Sequence, residues 1–281
     1  MPCGIGRADW AHRWRLENIQ AGKEKVNGRA MVAARATSRD GSRIVQYRAI
    51  SLFRSSGMIR VDGYEIKAVA FDMDGLMFDT ERLAQRLWTE ASAAAGWNMS
   101  PEVLMSLVGQ SKPSGMRLLA EAYGLRFPYE AIRTRRLAME AEFFKDNDVP
   151  LKPGLLELVG FLKTRGIPMA VATSTQRYRV LPLFVKSGLL DRFSFLLCGD
   201  EVTRTKPFPE MYLKTAERLG TAPAECLVLE DSPAGIAAAY TAGAIPVMVP
   251  DLVEPDGATR KKAARVFGNL GEVLGWLAKT A

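Results

Sequence analysis

Asp72 and Asp74 stand two residues apart, directly before Gly75, at the end of the apolar run Ile66-Lys67-Ala68-Val69-Ala70-Phe71. A second acidic pair, Glu230-Asp231, follows Leu227-Val228-Leu229 in the same way. Between them come Thr173-Ser174-Thr175, after Met169-Ala170-Val171-Ala172, and Lys206 in Lys206-Pro207-Phe208-Pro209. Desolvating a carboxylate is costly, and two of them about 4 Å apart repel by ~4 kcal/mol at an effective dielectric near 20. A hard divalent cation with oxygen ligands resolves that conflict. Each feature alone has a plainer reading. D-x-D-G is a surface turn, Thr and Ser are helix N-caps, Lys206 is a solvated loop residue, and Asp231-Ser232-Pro233 is a helix start. Four such coincidences at consecutive strand ends favour a site.

Elimination points the same way. His12 is the sole histidine of the 281 residues, so a Ser-His-Asp or Cys-His mechanism has no base in the body of the chain. Cys3, Cys198 and Cys226 are too scattered for a thiolate zinc site or a disulfide framework, and they suit a reducing cytoplasm. Chemistry after residue 60 therefore runs on carboxylates, Lys, Ser/Thr and a hard metal. The net charge of +7 suggests a nucleic-acid or membrane partner, but its distribution argues against one. Residues 1–60 carry 12 basic and 4 acidic side chains, against 26 and 27 in residues 61–281. No apolar run approaches the roughly 18 residues that span a bilayer.

The elements that must position these residues can be read from periodicity. Residues 1–60 show no sustained period and read as a disordered basic segment, a transit peptide, or sequence upstream of a start at Met58, the last being preferred. After the Ile66–Phe71 strand, Glu81–Ala95, Pro101–Val108, Pro113–Tyr123 and Tyr129–Asp146 carry apolar residues at helical spacing with no strand between them. From Val149 onward, helices and strands alternate. The helices are Gly154–Arg165, Gln176–Lys186, Glu210–Leu219, Pro233–Ala242 and Leu270–Ala278. The strands are Ile167–Ala172, Phe193–Cys198, Cys226–Leu229 and Ile245–Val249. The fold class expected is α/β: a Rossmann-like parallel sheet core, residues 61–79 and 149–281, with an inserted all-helical cap, residues 80–148. Ligands in such sheets bind beyond the carboxyl ends of the strands, where the polar residues stand.

In order, Asp-x-Asp, Thr/Ser, Lys and Glu-Asp resemble the four motifs of the haloacid dehalogenase superfamily over residues 66–279. Phe71-Asp72-Met73-Asp74-Gly75-Leu76, Glu230-Asp231-Ser232-Pro233-Ala234-Gly235 and the helical insert resemble its β-phosphoglucomutase-like branch. The resemblance implies that Asp72 is the nucleophile, forming an aspartyl-phosphate, and that Asp74 is the general acid and base. It implies Mg2+ held by Asp72, the Asp74 carbonyl and Asp231, with Glu230 acting behind them or through water. Thr173, the Ser174 amide and Lys206 would bind the transferring phosphoryl group. Dehalogenases of the superfamily lack an acid at the Asp74 position, so its presence points to phosphoryl transfer.

Mutases of the branch carry a cap His and an Arg where this chain has Ala84 and Lys112. The missing His favours a phosphatase for a small phosphomonoester, a sugar phosphate or nucleotide-like metabolite, over a phosphosugar mutase. Lys112 and Glu81 are candidate substrate contacts. Lys112 also reads as a solvated helix-start lysine, and Met77, Phe78 and Trp88 as cleft or core. A monomeric cytoplasmic enzyme with no nucleic-acid or membrane partner is expected. The reading from another class is a nucleic-acid-binding protein using the basic N-terminal segment.

Overall fold

Strands buried on both faces and helices apolar on one face leave a layered sheet as the way to bury both. The computed structural model describes residues 22–26, 29–33, 57–110 and 112–279. The chain divides into two units, Met1–Arg54 and Ser55–Ala281. In the first, β1 (Gly22–Val26) pairs antiparallel with β2 (Arg29–Ala33). The disorder expected for residues 1–60 otherwise falls outside the described residues, apart from the last four.

The second unit opens with a short hairpin, β3 (Ile59–Val61) and β4 (Tyr64–Ile66), closed by Asp62-Gly63 with both φ angles positive, at 48° and 82°. Ile59 is fully buried in the main core, so this hairpin straddles the boundary expected at residue 60. The strand expected over Ile66–Phe71 is divided: its first residue ends β4, and β5 (Ala68–Phe71) enters the main sheet. The remaining strands are β6 (Met169–Ala172), β7 (Leu196–Leu197), β8 (Cys226–Glu230), β9 (Ile245–Met248) and β10 (Arg265–Val266). Their order is β10-β9-β8-β5-β6-β7, all parallel. β5 therefore lies between β8 and β6, where the winding direction reverses and a crevice opens at the strand ends.

Alternation along β5 divides the core. Val69 and Phe71 face a cluster shared with α5 (Leu155–Thr164), α6 (Arg177–Lys186) and α10 (Leu270–Leu277). Ala68 and Ala70 face α7 (Glu210–Leu219) and α8 (Pro233–Thr241), and their small side chains let those helices approach closely. Phe71, Phe193, Phe184 and Phe78 form an edge-to-face chain with centroid separations of 5.5, 5.8 and 5.2 Å. Each such pair adds about 0.5–1.5 kcal/mol beyond its buried area. The chain fixes the backbone on both sides of Asp72 and Asp74.

The insert holds four helices: α1 (Glu81–Ala93), α2 (Pro101–Ser106), α3 (Lys112–Tyr123) and α4 (Tyr129–Asp146). They close on a small core of Ala91, Leu119, Phe127 and Ile132. The two segments joining it to the sheet run side by side. Asp79 N–H donates to the Pro150 carbonyl and Lys152 N–H to the Met77 carbonyl, both at 2.9 Å. Met77 and Phe78 are fully buried in the core, so neither reaches the cleft. Besides the N-terminal strands β1 to β3, α9 (Gly257–Lys262) and β10 were not anticipated, because six residues rich in cations and two residues of strand carry no legible period. Among the described residues no helix is long and apolar enough to cross a membrane.

Candidate active site

Asp72 sits one residue beyond β5, yet its N–H still donates to the Leu229 carbonyl at 3.0 Å, so the sheet ladder aims its carboxylate over the strand ends. Glu230 ends β8 with no exposed surface, and Asp231 follows it, also buried. One carboxylate oxygen from each of Asp72, Glu230 and Asp231 lies within 4.8 Å of the others. Lys206 is buried among them. Its Nζ bonds Asp72 Oδ1, stands 2.6 Å from Glu230 Oε1 and donates to the Ala172 carbonyl at 3.1 Å. Glu230 is held further by the Tyr212 hydroxyl on Oε1 and by Ser232 on Oε2, through Oγ at 3.0 Å and N–H at 3.3 Å. The Ser232 hydroxyl also accepts from Gly235 N–H at 3.1 Å, capping α8.

Two glycines make room for the acids. Gly75 has φ +78°, and a Cβ there would stand 2.2 Å from Asp231 Oδ2. A Cβ at Gly235 would stand 1.9 Å from Glu230 Cδ.

Asp74 is held differently. Thr80 Oγ1 donates to its Oδ1 and Thr175 Oγ1 to its Oδ2, each at 2.7 Å. Both hydroxyls fix the carboxyl group apart from the triad, Thr80 at the start of α1 and Thr175 after β6. Thr173 is buried, its N–H donating to the Leu197 carbonyl and its Oγ1 accepting from Thr175 N–H at 3.1 Å. Ser174 lies exposed beside it at the mouth. A cavity of about 160 Å³ runs from this cluster to the inner face of the cap.

Burial, with Glu230 and Asp74 nearby, lifts Asp72 to about 8 against the lowering effect of Lys206. Burial and the Asp72 and Glu230 charges push Asp231 well above the carboxylate range. Burial works against the charge on Lys206, but Asp72 and Glu230 override it and hold the ammonium above its ordinary value. Three clustered acids with one ammonium leave an excess of negative charge suited to a hard cation. The donor set is all oxygen, and the Gly75 cradle keeps side-chain carbon away from it, so the residues fit such an ion.

The cap candidates separate. Glu81, in the first turn of α1, lines the cavity, and the Gly109 backbone acts to lower its carboxyl. Burial first and Asp74 second raise it to about 7. Lys112 begins α3 and lines the cavity, but its ammonium pairs with the exposed Glu130 at 2.8 Å. Trp88, expected as cleft or core, does both: it lines the cavity and packs against the cap core. The Glu81 shift gives a testable sign. A carboxyl raised in the fold disfavours folding increasingly as pH climbs from the unfolded pKa near 4.5 through about 7. Glu81→Gln is expected to stabilise the protein by about 1–3 kcal/mol at pH 8 and to change little at pH 4, read from urea melts at each pH.

Sequence reasoning missed several groups. Thr80 and Tyr212 looked like ordinary helix residues, and the partners of Asp74 and Glu230 emerge only in three dimensions. Asp251 follows β9, and its side chain is nearly fully buried. Its Oδ1 takes Arg82 Nη1 and Lys152 Nζ, each at 2.7 Å, so one acid ties both segments that join cap and core.

The family model described as haloacid dehalogenase-like hydrolase matches residues 66–243. A phosphorylated carbohydrates phosphatase of Thermotoga maritima is 32% identical over 182 residues, covering 63% of this chain and 82% of that protein. Among solved structures, CbbY from Rhodobacter sphaeroides in complex with phosphate superposes with a TM-score of 0.64 at 27% identity, covering 76% of this chain and 99% of the other. A β-phosphoglucomutase from Clostridium difficile shares the fold, with a TM-score of 0.61 at 22% identity, covering 76% of this chain and 98% of the other.

Proposed function

We propose, for a chain that belongs to the haloacid dehalogenase-like hydrolases and to their β-phosphoglucomutase-like branch, that its phosphoric monoester hydrolysis runs through an aspartyl-phosphate on Asp72 with a divalent cation, Mg2+, bound beside it. The observation that carries this reading is the division of labour among the acids. Asp72, Glu230 and Asp231 converge around one ammonium, while Asp74 is held apart by two hydroxyls.

In this reading Asp72 attacks phosphorus in line with the ester oxygen, and the bond from phosphorus to that oxygen breaks. Asp74 gives the departing oxygen its proton. Water then attacks the aspartyl-phosphate, Asp74 takes the water's proton, and phosphate leaves with Asp72 restored. Thr173, the Ser174 amide and Lys206 hold the phosphoryl oxygens, and Lys206 opposes the rise that burial imposes on Asp72, which favours the ionised form needed for attack. Asp72, Asp231 and the Asp74 carbonyl would hold the cation, with Glu230 behind them; when bound, it offsets the charge of nucleophile and phosphate. The sugar-phosphate class is supported by the name of the Thermotoga relative. Ala84 lines the cavity and offers no proton-transfer group, which favours hydrolysis over a mutase cycle.

The test is a panel of small phosphate esters assayed with and without Mg2+. Phosphate release that requires both the metal and Asp72 supports the reading; no release from any member counts against it. Gly75→Ala adds a second check. Its methyl would crowd Asp231 Oδ2 and strain a positive φ. The variant is expected to need at least about tenfold more Mg2+ for half-maximal activity and to bind the ion correspondingly weakly by calorimetry.

A further inference from the structure

Beyond Asp74 the cavity reaches a second charged cluster, of opposite sign. Arg133, Arg136 and Glu140 project from α4, and Arg179 from α6 of the core. Arg179 grips Glu140 Oε1 through Nη2 at 2.5 Å and Nε at 3.1 Å, and Arg136 Nη1 donates to Oε2 at 2.8 Å. One carboxylate thus answers two guanidinium groups, while Arg133 lies within electrostatic reach of the Tyr129 hydroxyl. Arg136 is only 6% exposed, lies with Cζ 5.7 Å from the Trp88 ring, and its Nε finds no hydrogen-bond partner among the described residues. Burying a guanidinium with an N–H unmatched is costly, and an apolar side chain would pack against Trp88 more cheaply. Arg136 and Arg179 are within electrostatic reach of Asp74, the group assigned to the leaving oxygen.

We propose that the substrate's leaving group carries a second acid group, a carboxylate or a further phosphate, that seats on Arg136 and Arg179. The inference rests on the phosphatase reading of the site. Planar guanidinium groups match such an anion with paired hydrogen bonds, and a site shielded from water strengthens them. The cavity holds about five waters' worth of space, so the acid lies a few bonds from the ester oxygen. Glu140 then has a defined part. It ties the cap residue Arg136 to the core residue Arg179 and leaves the excess positive charge for the ligand.

The test separates this inference from hydrolysis. In an Asp72→Asn background with Mg2+, calorimetry measures binding of 3-phosphoglycerate, glycerol 1,3-bisphosphate and glycerol 3-phosphate. These share three carbons and differ in a carboxylate, a second phosphate or a neutral hydroxyl group. At least one acid-bearing ester is expected to bind about tenfold or more tightly than glycerol 3-phosphate. The tighter of the two identifies the acid. Arg136→Met is expected to reduce that preference to within about twofold, and Arg136→Lys to retain part of it. Taking the ratio cancels a general weakening from a loosened cap, and Arg179→Met reads the same ratio should Arg136→Met fail to fold. Equal binding of acidic and neutral esters, binding of neither, or a preference unchanged in the Met variants would overturn the inference. Failure of the wild-type enzyme to release phosphate from any ester would strike the phosphatase reading instead, because the binding ratio is read without turnover.

Discussion

Asp72→Asn is expected to lower phosphate release by at least about 10,000-fold on every ester, because no other group can form the covalent intermediate. Kinetics with excess substrate and saturating Mg2+ check this. Stability should move the other way from activity. Three carboxylates share one buried ammonium, and burial already lifts Asp72 to about 8. Removing one of those acids leaves Lys206 paired with Glu230 at 2.6 Å. The metal-free variant should therefore melt no lower than the metal-free wild type at pH 8. A variant that both lost activity and unfolded would mark Asp72 as structural rather than as the reacting group.

Lys206→Met is the second large effect, and it falls on stability as well as rate. It leaves Asp72 and Glu230 buried without their cation, a change that costs roughly 3–5 kcal/mol. Burial and like charge already raise Asp72, and the ammonium is what holds that rise in check. Without it, the folded form prefers protonated carboxyl groups still more strongly, so the destabilisation is expected to grow as pH rises and to shrink toward pH 4. Mg2+ should recover part of the lost stability by binding the same acids. Thermal melts at pH 5 and pH 8, with and without the metal, read all three effects.

The strand-end residues were legible because each combines a residue type that dislikes burial with a run that demands it. Asp72, Asp74, Thr173 and Glu230-Asp231 follow apolar segments whose length and alternation with helices admit little but a parallel sheet, and Lys206 stands in the loop after the next strand, before Pro207. The span Tyr129–Asp146 was readable to the residue, since Pro128 precedes its first turn and Asn147, in extended backbone, ends it. Phe193–Cys198 shrank to a two-residue strand at the sheet edge, where few ladder bonds extend it. Lys67 broke the first strand by bonding Glu225, leaving its flanks to pair with different partners. The supports of the site were not legible. Thr80, Tyr212 and Thr175 lie 6, 18 and 101 residues from the acids they hold, and Asp251 lies 169 and 99 residues from Arg82 and Lys152; no local pattern announces these pairings. Arg136, Glu140 and Arg179 likewise read as ordinary helix charges until the fold brings α4 against α6.

The most direct measurement is acid quenching of a single turnover in the Asp74→Asn variant, which slows hydrolysis of the intermediate, followed by peptide mass spectrometry. One phosphoryl group on the peptide carrying Asp72, formed and lost at rates that account for turnover, is the predicted result. Phosphate release without any phosphorylated Asp72 peptide, or with the phosphoryl group on another residue, would contradict it.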